Sequence, residues 1–201
     1  MKKFWKIMLI IVLVPVLLLG GCYYLLVGTS ERVYTNLNNY EKDLQAIEYA
    51  ANFMPSLDSL TGYENIEYTY KVTCYSHLAG FYSDAYALFV TYDDAQYEAK
   101  KQEALGSYEF LQEPIKRSDD TYELPVAEFA YKDYTMKVVP DEDYIDFCAC
   151  KSFLLLGFND HKRTIAYLYY YDFDIDYIAQ VGEDLEEEMC RLVDEAFVWA
   201  G

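Results

Sequence analysis

Two histidines, His77 and His161, are all that this 201-residue chain contains, so a site built on three histidine ligands is excluded within one chain. Basic residues are also scarce. Sixteen Lys and Arg stand against 34 Asp and Glu, a formal net charge of -18. Such a surface repels phosphate backbones and anionic headgroups, which removes nucleic acid from the expected partners. The short motifs that carry familiar chemistry are missing as well. No G-x-x-x-x-G-K-S/T segment offers a phosphate cradle, no H-E-x-x-H a zinc-bound base, and no C-x-x-C a redox pair. No G-x-S-x-G supplies a nucleophile elbow. No cofactor is expected.

What the chain has is aromatic surface. Aromatics make up 18% of the residues and 23 of these are tyrosine, while 25% are charged. That is enough large side chains for extensive burial, which argues for a folded domain over disorder. A tyrosine ring covers apolar area while its hydroxyl reaches water or an acceptor, so the enrichment is first a packing feature. Carbohydrate or peptide recognition is its functional alternative.

The N-terminal segment reads as an address. Lys2, Lys3 and Lys6 precede an uncharged stretch from Ile7, and no acid occurs before Glu31. By the positive-inside bias this holds the N-terminus in the cytoplasm and puts the rest of the chain on the extracytoplasmic side of the cell membrane. Leu19-Gly20-Gly21-Cys22 resembles the lipobox of bacterial lipoproteins. The resemblance implies diacylglyceryl transfer to the Cys22 thiol, cleavage before Cys22 and attachment through acyl chains. It covers the signal segment alone; no family is recognised for the rest. The competing anchor is an uncleaved transmembrane helix over residues 4–27, longer than the roughly 20 residues needed to span hydrocarbon. Trp5 and the Tyr23-Tyr24 pair would then mark its interfaces.

Beyond the anchor the hydrophobic period changes along the chain. Leu37, Tyr40, Leu44, Ile47 and Ala51 recur at helical spacing, and Pro55 ends that stripe. Ile66, Tyr68, Tyr70, Val72 and Cys74 alternate with polar residues, as a half-buried strand does. Gly80 marks a turn, and residues 84–92 read as the returning strand of a hairpin. Asp93 and Gln96 have capping-box spacing for a helix over 94–105, with Gly106 as its stop. Strands are expected over 131–139, 144–158 and 164–173, the last two joined by a turn at Asn159-Asp160-His161-Lys162. A C-terminal helix over 182–199 presents Leu185, Met189, Leu192, Val193, Ala196 and Phe197 to the sheet. The expected fold is α+β: a mainly antiparallel sheet packed by N- and C-terminal helices, with an N-terminal membrane anchor. Residues 1–28 form the signal segment or anchor, 29–62 the linker and first helix, and 63–201 the remainder of one domain.

Candidate chemistry is sparse. Asp172, Asp174, Asp176 and Glu183 occupy the first, third, fifth and twelfth positions of a run similar to the oxygen-ligand spacing of a calcium-binding EF-hand loop. Tyr177 stands at the sixth position, where that motif needs Gly for its turn. Cys148 and Cys150 share a strand face and, with Cys74 or His161, offer a mixed metal site. Buried thiols are the plainer reading. Cys74, Cys148, Cys150 and Cys190 are also disulfide candidates, with three fully paired connectivities open. Ser76-His77 is not a nucleophile pair, since neighbouring strand side chains face opposite ways. Asp141 and Asp143 are paired acids without a defined separation. These features lead to the expectation of a membrane-anchored extracytoplasmic protein that binds a protein or peptide partner or acts in envelope-associated interaction, without catalysis. A thiol- or metal-dependent enzyme is the alternative.

Overall fold

The computed structural model describes residues 2–45, 50–76, 80–141, 152–173, 175 and 177–199. Helix α1 spans Lys2–Val27. Among the described residues, whose side chains in α1 are those of Met8 and residues 12–24, no helix is long and apolar enough to cross a membrane. The expected anchor is corrected accordingly. The lipoprotein-type segment, the transmembrane reading, the membrane as partner, the extracytoplasmic location and the envelope-associated function built on them are not retained. Cys22, the expected lipidation site, is an exposed thiol on α1.

The α+β architecture with an antiparallel sheet and flanking helices is as expected. Strands β1 (Ser30–Tyr34), β2 (Tyr63–Ser76), β3 (Phe81–Tyr92), β6 (Glu128–Tyr131), β7 (Tyr134–Pro140), β8 (Ser152–Asn159) and β9 (Thr164–Asp172) form one sheet in the order β1-β2-β3-β9-β8-β7-β6. Every pairing in it is antiparallel. Short strands β4 (Ile115–Lys116), β5 (Thr121–Leu124) and β10 (Ala179–Gln180) make a second, three-stranded sheet.

The alternation beginning at Ile66 does form a strand, and it pairs with β3 through matches such as Tyr70 with Tyr86. Gly80 sits at φ +72 and its N–H donates to the Ser76 carbonyl, so glycine supplies the left-handed turn that leads into β3. The single helix expected from the Leu37 stripe is instead broken into a 3-10 turn (Leu37–Asn39), α2 (Tyr40–Leu44) and α3 (Ala50–Phe53). Ile47 lies outside the described residues. The strand expected over 131–139 is a hairpin of β6 and β7, turned at Lys132 with φ 51. Of the strand expected over 144–158, the part from Ser152 is β8 and the earlier residues lie outside the described ones.

Helix α4 (Asp94–Ser107) starts as its capping spacing requires. The Asp93 carboxylate accepts from the N–H groups of Ala95 at 2.9 Å and Gln96 at 2.8 Å. Gly106 does not stop it; the helix runs one residue further and ends where Tyr108 turns extended. Changing Asp93 to Ala is expected to lower unfolding free energy by about 1 kcal/mol in urea titration, with Asp93→Asn nearly neutral. Equal loss in both variants would show that the carboxylate does more than cap.

The sheet has two buried faces. One carries Tyr68, Tyr70, Tyr86, Leu88, Leu154, Tyr167 and Tyr169 and is covered by α2, α3 and α4. The other carries Ala85, Ala87, Phe89, Phe153, Leu155, Ala166 and Leu168 and is covered by α5 (Leu185–Ala196) through Met189, Val193 and Ala196. Small residues at 85, 87 and 166 let that helix lie close to the strands. Asp184 caps it by accepting from Glu186 and Glu187 N–H groups, in line with the acidic first turn read from the sequence.

Candidate functional site: an acidic, aromatic cleft

A polar row crosses the first face at one end of the sheet. Asp84 on β3 stands opposite Tyr171 on β9, and Tyr171 stands opposite Ser152 on β8. Val139 pairs with Leu154, so Asp141, two residues on from Val139, comes to the same face beside Ser152. Asp84, Ser152 and Asp141 are 3%, 0% and 2% exposed. The Ser152 hydroxyl donates to the Asp141 carboxylate, and Tyr70 donates to Asp84 at 2.6 Å. Burial pushes the Asp84 carboxyl up to about 6; the Tyr70 hydrogen bond opposes this and the nearby Asp172 charge adds to it. Tyr171 is likewise pushed up to about 12 by burial, so its hydroxyl keeps its proton. From Asp84 to Asp141 there are three strand spacings, roughly 14 Å. Glycoside hydrolysis sets its carboxyl pair at about 5–9.5 Å, so these two acids do not make that pair. Asp143, the sequence's other half of an acid pair, lies outside the described residues.

Asp141 is among the residues that line a cavity of about 410 Å³. Phe53, Tyr108 and Phe110 supply its aromatic walls, Glu109 stands at the exposed rim, and Pro140 and Asp141 close the sheet side. Among the described residues no Lys or Arg lines it. The walls are fixed by hydrogen bonds rather than by a long helix. Tyr108 donates to the Phe53 carbonyl at 2.7 Å and Tyr40 donates to the Pro55 carbonyl at 2.6 Å, tying the turn after α3 to the end of α4 and to the core. Tyr108 is pushed up to about 12 by burial and stays a neutral donor. The Phe53 ring lies 5.7 Å from that of Tyr169 on β9. Lys137 already places its ammonium 5.7 Å from the Phe110 centroid while pairing with Glu128, so this ring has one cation on it. On the far side of Tyr108 and Ser107 a second cavity of about 230 Å³ holds Lys100 and Glu103, which pair at 2.8 Å.

The residues singled out from sequence fall elsewhere. Asp172 is buried on the opposite face from Asp84 and accepts from the Tyr170 hydroxyl at 2.8 Å. Glu183 accepts from the Gln180 N–H at 2.7 Å in an exposed turn. Asp174 and Asp176 lie outside the described residues, and among the described residues no group of three or more His, Cys, Asp or Glu is placed to hold a metal ion. Cys148, Cys150 and His77 also lie outside them. Cys74 stands opposite Tyr82, at one end of β3, whereas His161 sits in the turn beyond Thr164, which pairs with Thr91 at the other end. That separation is roughly 30 Å, too far for a shared metal. Cys190 points at the Ala130 carbonyl on β6, five strands from β2, so it does not join Cys74. Neither the thiol- nor the metal-dependent enzyme finds a centre among the described residues.

Phe53, Tyr108, Phe110 and Ser152 carried no local motif. The i, i+2 relation between Val139 and Asp141 was the one legible sign that an acid ends on a buried face. No protein-family model, curated protein or solved structure matches this chain.

Proposed function

We propose that this domain binds a small organic cation, a protonated amine or guanidinium, in the cleft between the α3 turn, the end of α4 and the end of β7. The observation that carries the reading is Asp141, a residue 2% exposed that lines a cavity together with Phe53, Tyr108 and Phe110. A buried carboxylate gains most from a desolvated cation, and ring faces attract the same charge. A cavity of about 410 Å³ suits a ligand of amino-acid to polyamine size. Glu109 at the rim and the -18 net charge raise the local concentration of cations.

Isothermal titration calorimetry with spermidine, arginine amide and tetramethylammonium, against a neutral polyol, tests the reading. Changing Asp141 to Asn is expected to weaken the best cation by about 2 kcal/mol, roughly thirtyfold in Kd, with the melting temperature reported alongside. Undiminished affinity in that variant, or no cation bound by the native chain, removes the cleft as the site.

A further inference from the structure

The second cavity, of about 230 Å³, shares Ser107 and Tyr108 with the cleft and is built on one face of α4. Lys100, Glu103, Ala104 and Ser107 recur at helical spacing along that face. The sheet contributes Tyr92, the last residue of β3, and Tyr167 of β9. Both are buried, at 2% and 6% exposure.

Three of the hydroxyls around this cavity are already committed. Tyr108 donates to the Phe53 carbonyl, Ser107 to the Glu103 carbonyl and Ser59 to the Ser56 carbonyl, each at 2.7 Å. The hydroxyls of Tyr92 and Tyr167 are not: among the described residues neither makes a hydrogen bond. Buried phenols ordinarily have a partner. Neither oxygen is sealed from solvent, and the open space that both residues line is this cavity.

We propose that this cavity binds one neutral, polyhydroxylated ring of monosaccharide size. Each phenol can donate to one ligand hydroxyl and accept from another, which is the pairing that vicinal hydroxyls need. Lys100 and Glu103 pair at 2.8 Å, so they add donors and acceptors without net charge. An anion is the poorer occupant. Burial pushes Tyr92 up to about 12 and pushes Tyr167 up as well, and the Glu103 charge adds to both, so two neutral phenols sit in a negative field. A cation meets Lys100 here, whereas among the described residues no Lys or Arg lines the cleft. Pro55 and Leu60 offer apolar surface to the ring's C–H groups. The cavity is smaller than the roughly 300–1,000 Å³ of sites for drug-sized ligands, which limits the occupant to a single ring.

Saturation-transfer NMR titrations of the full chain with glucose, galactose, mannose and myo-inositol test the proposal. At least one should bind saturably, and changing Tyr92 or Tyr167 to Phe should weaken it about tenfold in each case. Because neither hydroxyl holds a partner within the described residues, both variants should unfold at the native urea midpoint, which separates a binding role from support of the fold. Excess spermidine should leave the sugar affinity unchanged, since the cation belongs in the cleft. No saturable binding by the native chain would mean that the cavity holds water alone, and overturns the proposal. Full affinity in both Phe variants overturns it too, as does a urea midpoint that falls in step with binding. Displacement of the sugar by spermidine would move it into the cleft and has the same consequence.

Discussion

Replacing Tyr86 by Ala is expected to remove about 3–5 kcal/mol of unfolding free energy, a large share of the roughly 5–15 kcal/mol that holds a domain together. Tyr86 is fully buried at the centre of the first face, its ring stacked 4.2 Å from that of Tyr70 and nearly parallel to it. Tyr34 extends the stack at 5.5 Å, on the other side of Tyr70. The Tyr86 hydroxyl donates to the Asp43 carbonyl at 2.9 Å, so the same side chain fastens α2 to the sheet. Truncation therefore opens a cavity, frees one face of Tyr70 and removes the hydroxyl that ties the Asp43 carbonyl to the sheet. Changing Tyr86 to Phe keeps the ring and should cost about 1 kcal/mol. Urea unfolding followed by circular dichroism distinguishes the two. An alanine variant within about 1 kcal/mol of native would mean that this stack is not the centre of the core.

The second large effect is a dependence of stability on pH that runs through Asp84. Its carboxyl titrates near 6 in the folded chain and near 3.9 when unfolded. Between those values the folded state binds more protons, so its stability falls as pH rises. The favourable contribution is complete below about pH 4 and is lost as pH passes through about 6. For this 3%-exposed group the loss amounts to about 2–3 kcal/mol. Asp84→Asn should flatten that part of the profile while still accepting the Tyr70 hydrogen bond, so native and variant curves converge toward pH 4 and separate by pH 7. Parallel curves across that window would assign the slope to other acids.

Local signals carried much of the sheet. Alternation from Ile66 to Cys74, the Asp93 cap and the Asn159 turn all act within a few residues, and each formed what its spacing implied. Asn159 accepts from the N–H groups of His161 and Lys162, the side-chain turn that its position suggested. The helical stripe from Leu37 did not survive as one helix, because tertiary contacts decide where its short pieces lie. Tyr40, fully buried, stands edge-on to Tyr68 and donates to the Pro55 carbonyl, which turns the chain back over the sheet. The anchor was inferred from the early lysines, the uncharged stretch and the lipobox resemblance, and has no membrane-crossing helix to support it among the described residues.

The candidate cleft was the least legible part. Asp84, Asp141, Ser152 and Tyr171 become neighbours only through the register of four strands drawn from distant parts of the chain. Phe53 and Tyr108 meet through a hydrogen bond between a tyrosine and a carbonyl 55 residues away. No window of sequence contains that arrangement. The acidic run at Asp172 was conspicuous by its spacing, yet its first carboxylate is occupied by a neighbouring tyrosine inside the protein.

The order of strands also sets a timetable for synthesis. β3 lies between β2, its neighbour in sequence, and β9, whose Thr164 meets Thr91 across 73 residues. Residues 83–90 of β3 are all buried in the finished protein, so a nascent chain carries this apolar strand with one side unpaired until β9 has left the ribosome. Closing so distant a seam is slow compared with forming the hairpins on either side of it. The chain is therefore most prone to aggregate late in its own translation, when both halves of the sheet exist and have not yet met.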